Sequence, residues 1–128
     1  MAIHESGEDY LEAIFVLSGQ LNFVRSIDVA AFLGVTKPSV SRAMSILRAD
    51  GYVNMVPDGE LRLSEKGLAT ARQVYERHEL LTEFLIDLGV SRETAAEDAC
   101  RMEHVISEES FEKLREYATN HMKQKDTQ

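Results

Sequence analysis

The sequence predicts a mainly α-helical fold in which one short β-hairpin separates three N-terminal helices from three C-terminal ones. Apolar residues recur at helical spacing along most of the 128 residues, and only two prolines interrupt them. The spacing changes to a period of two at one place, directly after Gly51. A composition of 44% hydrophobic and 28% charged residues is typical of a folded globular protein and excludes a disordered or collagen-like chain.

Three N-terminal helices are predicted from apolar stripes and capping residues, over residues 5–19, 27–33 and 37–50. Ser26 is placed as the cap of the second helix and Thr36 as the cap of the third, because their hydroxyls can accept hydrogen bonds from first-turn N–H groups. A glycine follows the second helix and another follows the third, as is common at helix ends.

A β-hairpin is predicted next, with strands over residues 52–56 and 61–63 joined by a turn over residues 57–60. The remaining sequence returns to helical spacing. Three further helices are predicted, over residues 64–88, 91–106 and 108–122. The polar residues that follow are expected to fray.

The second and third helices are predicted to form a helix-turn-helix, and the hairpin completes a winged helix-turn-helix. Ala30 is small where the two helices would cross, Gly34 lies in the tight turn, and Val40 lies on the face predicted to be buried. We therefore expect a winged-helix domain over residues 1–72 and a second, helical domain over residues 73–128.

The outer face of the third helix carries hydroxyls and cations without any acid, which suits phosphates and base edges in a DNA major groove. The predicted DNA contacts are Thr36, Lys37, Pro38, Ser39, Ser41, Arg42, Ser45, Arg48 and, on the returning strand, Arg62. The tip of the wing is acidic and is a poor phosphate ligand by itself. A winged helix that binds another protein instead of DNA stays open as an alternative.

The charge is unevenly distributed along the chain. The net charge is −8, and counting the sequence gives 7 basic and 9 acidic residues over 1–72 against 7 and 13 over 73–128. The acidic excess thus belongs to the C-terminal part. Any DNA affinity must come from a local basic face, and nonspecific affinity should be weak.

Potential metal ligands occur in three groups on three different predicted helices. The groups are Asp9 with Glu12, His78 alone, and Cys100 with Glu103 and His104. Within the first and third groups the spacings of three and four residues place the side chains on one helix face. Mixed thiol, imidazole and carboxylate donors suit Fe²⁺, Mn²⁺, Co²⁺ or Zn²⁺. Solvated carboxylates, a packed histidine and a buried thiol are the competing interpretations, as is a structural or stored zinc ion.

Three segments resemble the metal-site motifs of the iron- and manganese-dependent repressors, the family of the diphtheria toxin repressor and the manganese transport regulator. The segments are Asp-Tyr-Leu-Glu at 9–12, Arg-His-Glu-Leu-Leu at 77–81 and Cys-Arg-Met-Glu-His-Val-Ile-Ser at 100–107. They occur in the order and at the distances typical of the family. The resemblance covers nearly the whole chain, including the winged helix.

The resemblance implies a cytoplasmic homodimer that binds operator DNA and represses metal-uptake genes once Fe²⁺ or Mn²⁺ is bound, with one or two ions per chain. In the ligand set that it implies, one ion is held by Asp9, Cys100, Glu103 and His104, and a second ion is held with help from Glu12 and His78. It also implies the shorter architecture of the family, without an SH3-like domain.

The sequence mixes the two branches of that family. The manganese branch typically has glutamate where Cys100 stands, and the iron branch typically has methionine where Asp9 stands. Both metals therefore stay open. Thr82 and Ala96 occupy the positions of the glutamate and second histidine of the iron branch's ancillary site, so that site is expected to be absent.

Other classes of protein are less well supported by the sequence. Apolar residues between Ala95 and Leu114 exceed what one small lobe needs to bury, which favours a helical dimerisation domain. An enzyme is disfavoured because no glycine-rich phosphate loop is evident, and no small-molecule substrate is expected. No apolar run is long enough to span a bilayer, and a lone cysteine without an export signal indicates the cytoplasm. A winged-helix regulator that needs no metal remains the alternative.

Overall fold

The computed structural model describes residues 5–126, with side chains described for residues 7–121. The described chain contains six helices and one two-stranded antiparallel sheet. They follow the order α1 (Glu5–Ser18), α2 (Ser26–Leu33), α3 (Lys37–Ala49), β1 (Val53–Met55), β2 (Leu61–Leu63), α4 (Glu65–Leu88), α5 (Arg92–Val105) and α6 (Glu108–Asp126). This order confirms the predicted mainly α-helical fold. The chain divides into two compact units, residues 1–73 and 74–128.

The first unit is built around α1, whose Leu11, Ala13 and Ile14 are fully buried. Helix α1 contacts α2, α3 and β2. The remaining core comes from the inner faces of α2 and α3 and from the hairpin, including Val29 and Val40. Burial of the leucine, isoleucine and valine side chains, each contributing roughly 1.5–3 kcal/mol, is the main force that holds the three helices together.

The helix-turn-helix forms as predicted, apart from one cap. Thr36 caps α3, because its Oγ1 accepts a hydrogen bond from the Ser39 N–H at 3.2 Å. Ser26 is not the cap of α2 but its first residue, and the prediction was wrong there. The N-cap position is taken by Arg25, whose N–H donates to the Asp28 carboxylate at 2.9 Å, so the helix begins one residue earlier.

The hairpin is shorter than predicted because its first expected residue makes other hydrogen bonds. Val53 pairs with Leu63 and Met55 with Leu61. Tyr52 lies outside β1, because its N–H donates to the Leu47 carbonyl oxygen at 2.8 Å. Its own carbonyl oxygen accepts from the Ser64 N–H at 3.0 Å. Gly67 in the first turn of α4 lies against the same carbonyl so closely that a Cβ atom there would overlap it.

The second unit contains most of α4 together with α5 and α6. Leu81, Ala99 and Phe111 form its buried centre, with Leu80, Met102, Ile106 and Leu114 packed around them. Helix α6 continues to Asp126, four residues past the predicted end, because no glycine or proline stops it. The predicted fraying tail is therefore helical over residues 123–126, and residues 127–128 lie outside the described part. None of the described helices is long and apolar enough to cross a membrane.

Candidate metal centre and nucleic-acid interface

The last two turns of α5 bring three different donor types together. The Cys100 Sγ, a carboxylate oxygen of Glu103 and a ring nitrogen of His104 lie within 4.8 Å of one another. The predicted spacing of three and four residues on one helix face produces this grouping. Cys100 is accessible to solvent, whereas the side chains of Glu103 and His104 are 0% and 2% exposed.

Helix α4 adds a second imidazole to this cluster. The Nδ1 atom of His78 lies 3.0 Å from Oε2 of Glu103, and the Nε2 atom of His104 lies 3.5 Å from Oε1 of the same carboxylate. Glu103 thus has one imidazole at each of its oxygens. The second unit alone brings together four of the six residues predicted as metal ligands.

One oxygen of this buried carboxylate lacks a hydrogen bond. Within the described part of the chain, Oε1 of Glu103 has no hydrogen-bond partner. Leaving a buried polar atom unsatisfied costs roughly 1–3 kcal/mol, and more when the group is charged. A divalent cation would satisfy this atom, and sulfur, imidazole and carboxylate donors form a set that Fe²⁺, Mn²⁺, Co²⁺ and Zn²⁺ accept. The residues therefore fit a metal ion.

The other two predicted ligands, Asp9 and Glu12, belong to the first unit. They lie three residues apart on α1, and both are half-buried. Half-burial is unusual for two neighbouring carboxylates, because aspartate and glutamate are mostly found on the surface.

Arg77, which precedes His78, was not among the predicted site residues but contacts the end of α5. Its Nη1 donates to the main-chain carbonyl oxygens of Glu103 at 3.3 Å and Ile106 at 3.2 Å. Its guanidinium also lies over the Phe111 ring, 5.0 Å from the ring centre. The motif around His78 included this arginine, but no sequence signal pointed to main-chain acceptors about thirty residues away.

The predicted DNA-binding face of α3 is accessible. Most of its predicted contact residues are exposed: Thr36, Lys37, Pro38, Ser41, Arg42, Ser45 and Arg48. Ser39 differs, because it is half-buried and its hydroxyl accepts hydrogen bonds from Thr36 Oγ1 at 2.9 Å and Arg42 Nη2 at 3.4 Å. The hydroxyl of Ser39 therefore orients neighbouring side chains. Ile46, which was not among the predicted contacts, is 49% exposed on the same helix.

On the wing, the cation predicted to contact phosphate already has an acidic partner. The Nε of Arg62 lies 2.9 Å from Oε1 of Glu60, while the Arg62 side chain remains 64% exposed. This ion pair partly offsets the charge that a phosphate would meet. Arg48 instead donates weakly to the Met55 sulfur at 3.7 Å.

Two models of one protein family match consecutive parts of the chain. Residues 2–61 match the family model described as the iron dependent repressor N-terminal DNA binding domain. Residues 64–126 match the iron dependent repressor metal binding and dimerisation domain. The chain belongs to the iron-dependent repressor family.

Individual relatives within this family are similar to the chain in sequence and in fold. The transcriptional regulator MntR of Escherichia coli O6:H1 is 37% identical over 114 residues, covering 89% of this chain and 74% of that protein. An uncharacterised HTH-type transcriptional regulator of Methanocaldococcus jannaschii is 34% identical over 113 residues, covering 87% and 90%. The solved structure of the manganese regulator SloR has a TM-score of 0.80 at 27% identity, covering 93% of this chain and 55% of SloR.

The protein is therefore a metal-dependent DNA-binding repressor of this family and not an enzyme. The resemblance noted in three sequence segments is confirmed. The alternative of a regulator that needs no metal is not favoured, because the second family domain is a metal-binding one.

Proposed function

We propose that this chain acts as a cytoplasmic homodimer that represses metal-uptake genes when Fe²⁺ or Mn²⁺ is bound. The observation that carries the proposal is the buried Glu103 carboxylate, with His78 at one oxygen and His104 at the other, beside Cys100. This cluster has the composition of a metal centre and lies in the family's metal-binding domain.

We assign six ligands and one or two ions per chain. Asp9, Cys100, Glu103 and His104 would hold one ion, and Glu12 and His78 would help to hold a second ion with Glu103. Support for a second ion comes from Glu103, whose two oxygens face different imidazoles. Support for Asp9 and Glu12 comes from their shared face on α1, their half-burial and the family motif.

The donor chemistry limits the metal without selecting one. The Cys100 thiolate favours Fe²⁺ over the harder Mn²⁺, whereas the carboxylates accept both. Support for manganese comes from relatives described as the manganese regulator SloR and as a manganese-dependent repressor in complex with manganese. The second of these has a TM-score of 0.77 and 25% identity, covering 84% of this chain and 50% of the solved one.

The activation mechanism that we propose depends on α1. When bound, the ion supplies positive charge that offsets the repulsion between the ligand carboxylates. Asp9 and Glu12 then fix α1, and α1 contacts both helices of the helix-turn-helix. In a dimer, the two recognition helices must be spaced about one turn of DNA apart, so a fixed α1 favours the spacing that binds operator DNA.

Fluorescence anisotropy tests this proposal. The DNA is taken from upstream of the protein's own gene and of metal-transporter genes, and selection from sheared genomic fragments supplies further sites. Binding is compared in chelator, in anaerobic Fe²⁺ and in Mn²⁺ at one salt concentration, because affinity depends on salt. Binding only with metal supports the proposal, and equal binding in chelator contradicts it.

Matched variants link the DNA response to the assigned centre. Glu103→Gln removes a ligand oxygen at nearly constant volume, and Glu97→Gln makes the same change at an exposed position of α5. The proposal requires that Glu103→Gln loses the metal response and Glu97→Gln keeps it. Sedimentation of the protein with and without metal measures the oligomeric state.

A further inference from the structure

We propose that Arg77 is a positioning residue of the metal centre, which holds the end of α5 so that Glu103 and His104 keep a fixed place. The inference rests on the proposed function of this cluster as a metal site. It is carried by hydrogen bonds, ring contacts and burial within the second unit.

Arg77 supplies hydrogen bonds at the C-terminal end of α5. The helix ends at Val105, and Ile106 is extended, with φ −74° and ψ 137°. The last carbonyl groups of a helix lack helical partners and need other donors. Arg77 supplies one for Glu103 O and reaches past the helix end to Ile106 O. A cation at a helix C-terminus also interacts favourably with the helix dipole.

Glu103 is held at its backbone and at its side chain by consecutive residues of α4. Arg77 binds its main-chain carbonyl oxygen, and His78 contacts its carboxylate at 3.0 Å. A carboxylate fixed at its backbone and at Oε2 keeps Oε1 in one place, 3.5 Å from the His104 ring. Helix ends otherwise fray, and these two ligands lie in the last turn of α5.

Placing the guanidinium of Arg77 here carries a desolvation cost. Within the described residues, the buried Nε of Arg77 makes no hydrogen bond. A methionine would cover the Phe111 ring without burying such a group, so packing alone does not explain an arginine. The two main-chain hydrogen bonds do explain it, because methionine cannot donate them.

The chain provides a matched control. The guanidinium of Arg115 also lies over the Phe111 ring, 5.0 Å from its centre. Its guanidinium contacts the carboxylates of Glu112 at 3.3 Å and Glu76 at 3.8 Å. Arg115 therefore shares the ring contact with Arg77 but does not bind the end of α5.

The experiment compares Arg77→Met, Arg77→Lys and Arg115→Met in the full chain. Co²⁺ is the probe, titrated against a chelator and followed through the absorption of its thiolate complex. We expect Arg77→Met to weaken Co²⁺ binding by about 10–100-fold, the range found when partners that orient metal ligands are removed. Arg77→Lys should lie between the wild type and Arg77→Met, because lysine lacks the rigid fork of arginine. Arg115→Met should bind as the wild type does.

A second measurement separates positioning from general stability. Thermal unfolding of the metal-free proteins should give a similar Tm for Arg77→Met and Arg115→Met. Amide hydrogen exchange should be faster at residues 102–106 in Arg77→Met only. Wild-type Co²⁺ affinity in Arg77→Met, or an equal loss in Arg115→Met, would overturn the proposal.

Two further results would also test the role of Arg77. If Arg77→Met does not fold, Arg77→Lys replaces it, and wild-type affinity in that variant overturns the proposal. If the wild type binds no Co²⁺, Fe²⁺ or Mn²⁺, the proposed function fails. Hydrogen exchange at the end of α5 then still tests whether Arg77 holds Glu103, since it is measured without metal.

Discussion

His78 Nδ1 lies 3.0 Å from Glu103 Oε2, so a histidine of α4 and a glutamate of α5 meet 25 residues apart in sequence. This contact brings two separate sequence motifs into one cluster. It also leaves the other oxygen of Glu103 without a hydrogen bond among the described residues. A buried carboxylate satisfied on one side only is poorly suited to structural stabilisation alone and well suited to an incoming cation.

Replacing Glu103 should separate metal binding from folding. In Glu103→Gln, we expect the affinity for Co²⁺ or Mn²⁺ to fall by at least about 100-fold, because the ion loses a charged ligand. A 100-fold loss corresponds to about 2.8 kcal/mol of binding free energy, since each 1.4 kcal/mol changes the affinity tenfold. The Tm should change little, because the amide removes a buried charge that lacks a full set of partners. Calorimetric metal titration and thermal unfolding measure the two effects.

The control for this variant is Glu97→Gln, on the exposed side of α5. Its metal affinity should equal that of the wild type. His104→Ala should resemble Glu103→Gln in losing the metal response. If Glu103→Gln and His104→Ala both bind metal with wild-type affinity, these residues are not metal ligands.

Exchanging the sulfur ligand should change the metal preference. Cys100→Glu replaces a soft thiolate by a hard carboxylate, and hard oxygen ligands suit Mn²⁺ better than thiolates do. We expect the ratio of Mn²⁺ to Co²⁺ affinity to rise by about tenfold, or about 1.4 kcal/mol. Competition titrations with both metals measure the ratio.

Cys100→Ser is the matched control, because it removes the thiolate without adding a carboxylate. It should weaken the binding of both metals. An unchanged affinity ratio in Cys100→Glu would show that Cys100 does not contact the ion.

Arg42 tests the DNA-binding face of α3. Its side chain is exposed and its Nη2 donates to the Ser39 hydroxyl at 3.4 Å, which orients it on that face. Arg42→Ala should weaken operator binding by about 1–3 kcal/mol if it contacts a base. Anisotropy at saturating metal gives the DNA affinity, and a metal titration should give unchanged stoichiometry.

Arg72→Ala removes the same charge from an exposed position of α4. Its effect on operator affinity should be small by comparison. If the two variants weaken binding equally, Arg42 contributes only through overall charge.

The wing carries an ion pair that should lower DNA affinity. In Glu60→Gln, the Arg62 guanidinium loses the carboxylate at 2.9 Å and becomes available to phosphate. We expect tighter operator binding and a salt dependence steeper by about one unit, the change associated with one more phosphate contact. Anisotropy over a range of salt concentrations measures the slope.

Asp58→Asn removes an equal charge from the turn that joins the strands. It should tighten binding less and leave the slope nearly constant. A wild-type slope in Glu60→Gln would mean that Arg62 does not reach the DNA backbone.

Local signals made much of the fold predictable. Thr36 and Pro38 mark the start of α3, and a left-handed glycine at 34, with φ 69°, forms the turn before it. The error at Ser26 arose because two acceptors compete for the same helix start, and the Asp28 carboxylate is the one used. The end of the last helix was predicted too early because polarity was read as disorder, although polar residues also form exposed helices.

The metal cluster was partly predictable for a related reason. Helical spacing places Cys100, Glu103 and His104 on one face whatever the tertiary structure is. The contact of His78 with Glu103 depends on tertiary packing, and only the family resemblance suggested it. The role of Arg77 was not visible, because its acceptors are main-chain carbonyls that every residue possesses.

The glycine at position 67 limits how this sequence can drift during evolution. The hairpin and the start of α4 approach each other there across the Tyr52 carbonyl, and a side chain of any size would displace backbone. Most surface positions of a small regulator tolerate many residues, whereas this one tolerates a single residue type. In a saturation library selected for DNA binding, position 67 should stay glycine while its neighbours Lys66 and Leu68 vary.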